Sequence, residues 1–146
     1  MGCVELLIQR LPHAPGKLPD YQTAGAAGMD LVLAGPDVTL APTERALLPT
    51  GFCVAIPGGY EGQVRMRSGT ALRSGLILPN APGTIDADYR GEIMVLVMNV
   101  SADSVTVRTG ERIAQLVIAP VARGEWHEVD ALPESGRGAG GFGSTG

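Results

Sequence analysis

Apolar residues recur along this chain in short alternating or β-rich runs, one about every ten residues: CVELLIQ, MDLVLA, DVTLA, ALLPTGFCVAI, GQVRMR, LILP, EIMVLVMNV, SVTVR, RIAQLVIAPV and EWHEV. Between them stand segments that break regular structure, among them PHAPGKLPDYQTAGAAG, PGGYEG, NAPGTIDADYRG and TGE. Short strands punctuated by Gly, Pro, Asn and Asp predict an all-β sandwich or barrel. The best helical candidate is SGTALRS, residues 68–74, hardly more than one turn. The triplet RSG occurs at Arg67–Gly69 and again at Arg73–Gly75, too short and too isolated to signal a repeat.

Length makes one domain the simplest division, since 146 residues supply one core. With only 4% aromatic residues, that core is expected to be built from Val, Leu, Ile and Ala. From about Leu132 the chain turns polar, and Gly supplies six of the last eleven residues. Such a segment buries too little to order itself. The expected division is a body at 1–135 and a flexible tail at 136–146.

A net charge of −4 argues against stable nucleic-acid binding and against an anionic membrane surface. No apolar stretch approaches a membrane span, and MGCVELLIQR lacks the pattern of a secretory leader. Cys3 and Cys53 have no metal or redox spacing, and His13 and His127 stand far from any Cys/His cluster. A soluble, cytoplasmic protein is expected. The basic residues are ten Arg and the single Lys17, a bias that suits phosphate recognition and that codon usage also explains.

Several local patterns could carry chemistry. In GTIDADYRGEIMVLVMN, Asp86 and Asp88 precede a strongly apolar strand; a carboxylate there could activate a water, or simply cap a turn. In VRMRSGTALRSG, Arg67, Ser68 and Gly69 leave a strand, where a guanidinium, a hydroxyl and backbone N–H groups could converge on phosphate or form an ordinary polar turn. Arg112 and Gln115 in GERIAQLVIAPV, and Asp30 in TAGAAGMDL, admit the same two kinds of reading. No Walker loop, dinucleotide fingerprint or nucleophile elbow is present.

Taken in order, the motifs AGMDL, RSGTA, NAPGTIDADYRGE, GERIAQLVI and RGAGGFGSTG resemble the five motifs of homotrimeric deoxyuridine triphosphatases, over about Leu18 to Gly146. In that pattern the motif arginine precedes the catalytic aspartate by nineteen residues, as Arg67 precedes Asp86, which selects the first RSG and leaves Arg73 and Ser74 incidental. Met66 and Thr70 replace the family's usual Pro and aliphatic residue around that triplet.

The resemblance implies a jelly-roll-like β-barrel, trimeric, with each active site drawn from three chains. It implies hydrolysis of dUTP to dUMP and pyrophosphate, which would limit uracil in DNA and supply dUMP for thymidylate synthesis. Asp86 would activate a water against the α-phosphorus. Arg67, Ser68, Gly69, Arg112 and Gln115 would form the triphosphate site. Asn80 and the hairpin Gly83, Thr84, Ile85 and Asp86 would read uracil, Tyr89 would exclude a 2′-hydroxyl, and Met94 would border the nucleoside. Mg²⁺ would ride on the phosphates, with Asp30 reaching it through water. From the tail, Phe142 would cover the base while Arg137, Gly143, Ser144 and Thr145 wrap the phosphates. A dCTP deaminase and a non-catalytic binder on the same fold are the competing readings.

Overall fold

A computed structural model of the chain describes residues 2–144. Ten strands form it: β1 (Leu7–Arg10), β2 (Met29–Val32), β3 (Val38–Leu40), β4 (Arg45–Ala55), β5 (Tyr60–Met66), β6 (Leu76–Ile77), β7 (Gly83–Ile85), β8 (Glu92–Asn99), β9 (Val105–Val107) and β10 (Arg112–Pro120). The one helix among the described residues, α1 (Ser68–Ser74), coincides with the segment that the sequence marks as helical. One four-stranded sheet has the order β1-β4-β8-β6, a second has β2-β10-β5-β7, and β3 and β9 form a ribbon. All pairs are antiparallel, giving the expected jelly-roll-like all-β architecture.

Alternation places the core. Along β8, Ile93, Val95 and Val97 point inward while Glu92, Met94, Leu96 and Met98 are half-buried on the other face. Leu31, Leu48, Val64, Ile85, Ile113 and Leu116 close the same aliphatic interior from the other strands. Gly62 lies where three side chains converge: a Cβ there would come within 3.0–3.2 Å of Ile56, Leu116 and Ile85. The two sheets therefore pack closely at that point.

The buried polar side chains organise the loops. Asn99 is fully buried, and its amide donates to the carbonyls of Leu40 and Asp103 while its Oδ1 accepts from the Ser101 backbone and hydroxyl. A polar group excluded from water must be paired in this way. One side chain thus ties the end of β3 to the turn between β8 and β9. Thr50 donates to the carbonyl of Ile93 across β4 and β8.

Three expectations are corrected. EWHEV forms no strand: beyond Pro120 the chain leaves its sheet, residues 121–139 are exposed, and Trp126 is 100% exposed. It has no strand partner among the described residues, and a lone extended segment has nothing to satisfy its backbone. Conversely GTI, expected as part of a loop, is β7, paired with β5. Gly83–Asp86 is also no hairpin, because β7 and the following β8 lie in different sheets. The connection arches between the sheets because Gly83 and Ile85 are buried against one sheet and Ile93 belongs to the core face of the other.

Candidate active site

β10 lies between β2 and β5, and its register contains an irregularity that positions charged side chains. Arg112 faces Val32 and Gln115 faces Asp30, with one extra residue inserted in β10 between them. Strict alternation would send Arg112 and Gln115 to opposite faces, since they are three residues apart. The bulge restores them to one face, beside Asp30, while Ile113 and Ala114 are both buried.

Asp30 is the electrostatic centre of this face. Its Oδ1 lies 3.2 Å from Nε of Arg67 and its Oδ2 lies 3.2 Å from Nη1 of Arg112, with the carboxylate side chain only 11% exposed. A largely desolvated carboxylate between two guanidiniums fixes both, and it leaves the remaining N–H groups free to donate outward. Arg67 caps α1 in extended backbone, where the chain leaves β5, so Ser68 and Gly69 open the helix beside the strand edge. Met66 packs against the core and Thr70 is buried, so the turn forms with these residues in place of the usual ones.

Gln115 completes the group. Its Oε1 lies 2.7 Å from where a Cβ on Gly28 would stand, so the side chain rests directly on the glycine backbone. A groove of about 320 Å³ results, lined by Gly28, Asp30, Arg67, Ser68, Gly69 and Gln115 together with Gln22 and Ala26. Gly28 belongs to the motif AGMDL, whereas Gln22 and Ala26 stand outside every motif, with the small-residue run TAGAAG as the nearest signal. A larger cavity of about 570 Å³ under the loop Pro15–Gln22 reaches Asp30 and Arg112 as well, but Ser68 and Gln115 do not line it.

The remaining residues lie elsewhere. Gly83, Thr84 and Ile85 form β7, and Asn80 precedes it, close to Gly83. Because Ile85 pairs with Gly62, exposed Asp86 falls beside Glu61, six residues along β5 from Arg67. At about 3.3 Å per residue that is roughly 20 Å. Tyr89 donates its hydroxyl to the Glu92 carbonyl at 2.9 Å, with its ring against Gly91. Arg90 braces the same turn through the carbonyls of Ala87 and Tyr89. Met94 is on the outer face of β8.

In the tail, Arg137 Nε donates to the Gly140 carbonyl, and Phe142 is fully exposed with a left-handed φ of 50°. Gly143 and Ser144 are exposed beside it, and Thr145 lies outside the described residues. Two free thiols are present, and no group of three His, Cys, Asp or Glu converges as a metal cage among the described residues. No helix there is long and apolar enough to cross a membrane.

Comparison with known proteins shows which family has this sequence and fold. The dUTPase family model matches residues 14–146. The chain is 57% identical over 143 residues to a deoxyuridine 5′-triphosphate nucleotidohydrolase of Methylocella silvestris, covering 95% of this chain and 89% of that protein. It is 54% identical to the enzyme of the same name from Rhizobium meliloti, covering 97% and 91%. Among solved structures, a Staphylococcus bacteriophage 80alpha dUTPase with dUpNHpp superposes with a TM-score of 0.88 at 30% identity, over 97% of this chain and 98% of that one. The dUTPase of phage phi11 of S. aureus, in a structure concerned with coordination of a structural Mg(II) ion, gives a TM-score of 0.80 at 25% identity, over 89% and 99%. The chain belongs to the dUTPase family.

Proposed function

We propose that the protein hydrolyses dUTP to dUMP and pyrophosphate at a site assembled from more than one copy of the chain. The observation that carries this reading is the separation just described. Arg67, Ser68, Gly69 and Gln115 share a groove suited to a polyphosphate, whereas the Asp86 arch stands roughly 20 Å away along β5. A substrate spanning both needs the arch of a second chain. The outer face of β8 supports such assembly: Met94, Leu96 and Met98 lie beside Leu47, Pro49 and Ile77, and Leu47 is 59% exposed. An apolar sheet face of this kind marks a protein contact, and a homotrimer is the assembly we infer.

In the assembled site the work is positioning and charge stabilisation, as phosphoryl transfer requires. Asp86, exposed at the end of β7, would hold and deprotonate the attacking water. Arg67 and Ser68, with the Gly69 backbone and the Gln115 amide, would bind the phosphates, and Asp30 would hold Arg67 and Arg112 in place. Asn80 and the β7 backbone would read the uracil edge. Tyr89, fixed through the Glu92 carbonyl, would lie under the sugar where a 2′-hydroxyl has no room.

The donor set fits a Mg²⁺ carried by the phosphates. Asp30 is the only carboxylate lining the groove and both its oxygens face arginines, so it would reach a cation through water. When bound, the ion would neutralise charge on the phosphate oxygens. The tail residues Arg137, Phe142, Gly143, Ser144 and Thr145 would close over the ligand from another chain.

Pyrophosphate release from dUTP, UTP, dTTP and dCTP, with and without Mg²⁺, tests the reading. Selective turnover of dUTP is expected. Ammonia release from dCTP without pyrophosphate release from dUTP would replace it with a deaminase.

A further inference from the structure

The second RSG triplet has a place in this chemistry. Arg73 lies one turn along α1 from Gly69, and its guanidinium folds back over that glycine: Nη1 and Nη2 would lie 2.9 and 3.2 Å from a Cβ built there. With Arg67 and Arg112 it lines a recess of about 270 Å³, completed by Thr70, Ser74 and Glu111, that shares Arg67 with the polyphosphate groove.

Charge in the recess is unbalanced toward anions. Asp30 engages Arg67 through Nε and Arg112 through Nη1, which turns the other N–H groups of both outward. Among the described residues no carboxylate lies within 4 Å of the Arg73 guanidinium. Glu111 turns its carboxylate to the Arg108 backbone N–H at 2.9 Å. Three forked donors around one small recess match the oxygens of a diphosphate group.

We infer that Arg73, with Arg67 and Arg112, forms a subsite for the diphosphate end of the ligand, which holds pyrophosphate after cleavage. This deepens the reading above and rests on it for the identity of the substrate. Arg73 is then a binding residue for the leaving group, although the motif spacing that selects the first RSG leaves it incidental.

The test is calorimetric titration of the full-length protein with inorganic pyrophosphate, with dUMP and with the imido analogue of dUTP, for wild type, Arg73→Ala and Arg73→Lys. Losing one charge-assisted fork should weaken pyrophosphate roughly tenfold. The analogue should weaken similarly, dUMP should bind as before, and Arg73→Lys should recover part of the loss. Unchanged pyrophosphate affinity in Arg73→Ala, equal weakening of dUMP, or no pyrophosphate binding by wild type would overturn the subsite. Titration needs no turnover, so this outcome is separate from a failure to hydrolyse dUTP.

Discussion

The Glu92 carboxylate holds the His13 ring at 2.6 Å, and the same Oε1 accepts the Gly51 backbone N–H at 2.8 Å. Gly51 sits where β4 carries extra residues against β8, with φ of 79°, and a Cβ there would lie 2.5 Å from the Ala14 backbone. One acidic side chain therefore joins the N-terminal turn, the β4 irregularity and the strand that follows the Asp86 arch. Glu92→Ala leaves a partly buried N–H without its acceptor and should cost about 1–3 kcal/mol. Glu92→Gln, which keeps an acceptor, should cost less. Urea unfolding of the two variants checks the order.

Asp86→Asn should lower turnover of dUTP by about 10²–10⁴-fold, the usual contribution of a positioned general base. Its amide keeps the shape of the carboxylate, and Asp86 is exposed, so folding should be unaffected. Affinity for the imido analogue should stay within a few-fold of wild type. Retained turnover would remove Asp86 from its role.

The separation of Asp86 from Arg67 makes a complementation experiment decisive. Asp86→Asn and Arg67→Ala chains should each be nearly inactive alone. Mixed after denaturation and refolded together, they should regain part of the activity, because some sites then receive an intact arch and an intact groove. Sites built within single chains would regain nothing.

Phe142 is fully exposed and contributes nothing to the barrel interior. Phe142→Ala should therefore leave the melting temperature unchanged while turnover falls. A fall in both would place Phe142 in the folded body instead of over the ligand.

Asp37 gives a pH-dependent prediction. The Thr109 backbone N–H donates to its carboxylate at 2.8 Å, and with the Thr109 hydroxyl and Arg108 it holds the carboxyl below the usual carboxylate range. A depressed folded value means that the contribution to stability is present above the unfolded value and is lost as pH falls through the folded one. Asp37→Asn should thus lower stability at neutral pH, converge with wild type in acid, and so flatten part of the acid limb of the stability profile. Carboxyl NMR titration of Asp37 reads the shift directly.

Local pattern carried much of the fold. Alternation in EIMVLVMNV corresponds to β8 almost residue for residue, and SGTALRS to α1. EWHEV shows the limit, because alternation reports a capacity to pair and says nothing of whether a partner edge is within reach. GTI fails in the opposite sense: three residues with a glycine carry too weak a pattern, and pairing with β5 supplies what propensity does not. At the site, Arg67, Ser68, Gly69 and Gln115 were visible through motif spacing, and the groove collects them. Arg73 was passed over because only the folded helix turns its guanidinium onto Gly69. His13 and Glu92 meet across 79 positions of sequence, which no local pattern reports.

The extra residue in β10 between Arg112 and Gln115 makes chain length part of the specification of the site. Deleting one residue there would leave Arg112 and Gln115 two apart on one face of a regular ladder, but it would remove one of the two side chains, Ile113 or Ala114, that the bulge buries in the interior. Mutational tolerance across GERIAQLVI should accordingly be lopsided, with conservative replacements of Ile113 or Ala114 endured and a single-codon loss between them not. For evolving lineages the constraint falls on insertions and deletions before it falls on residue identity.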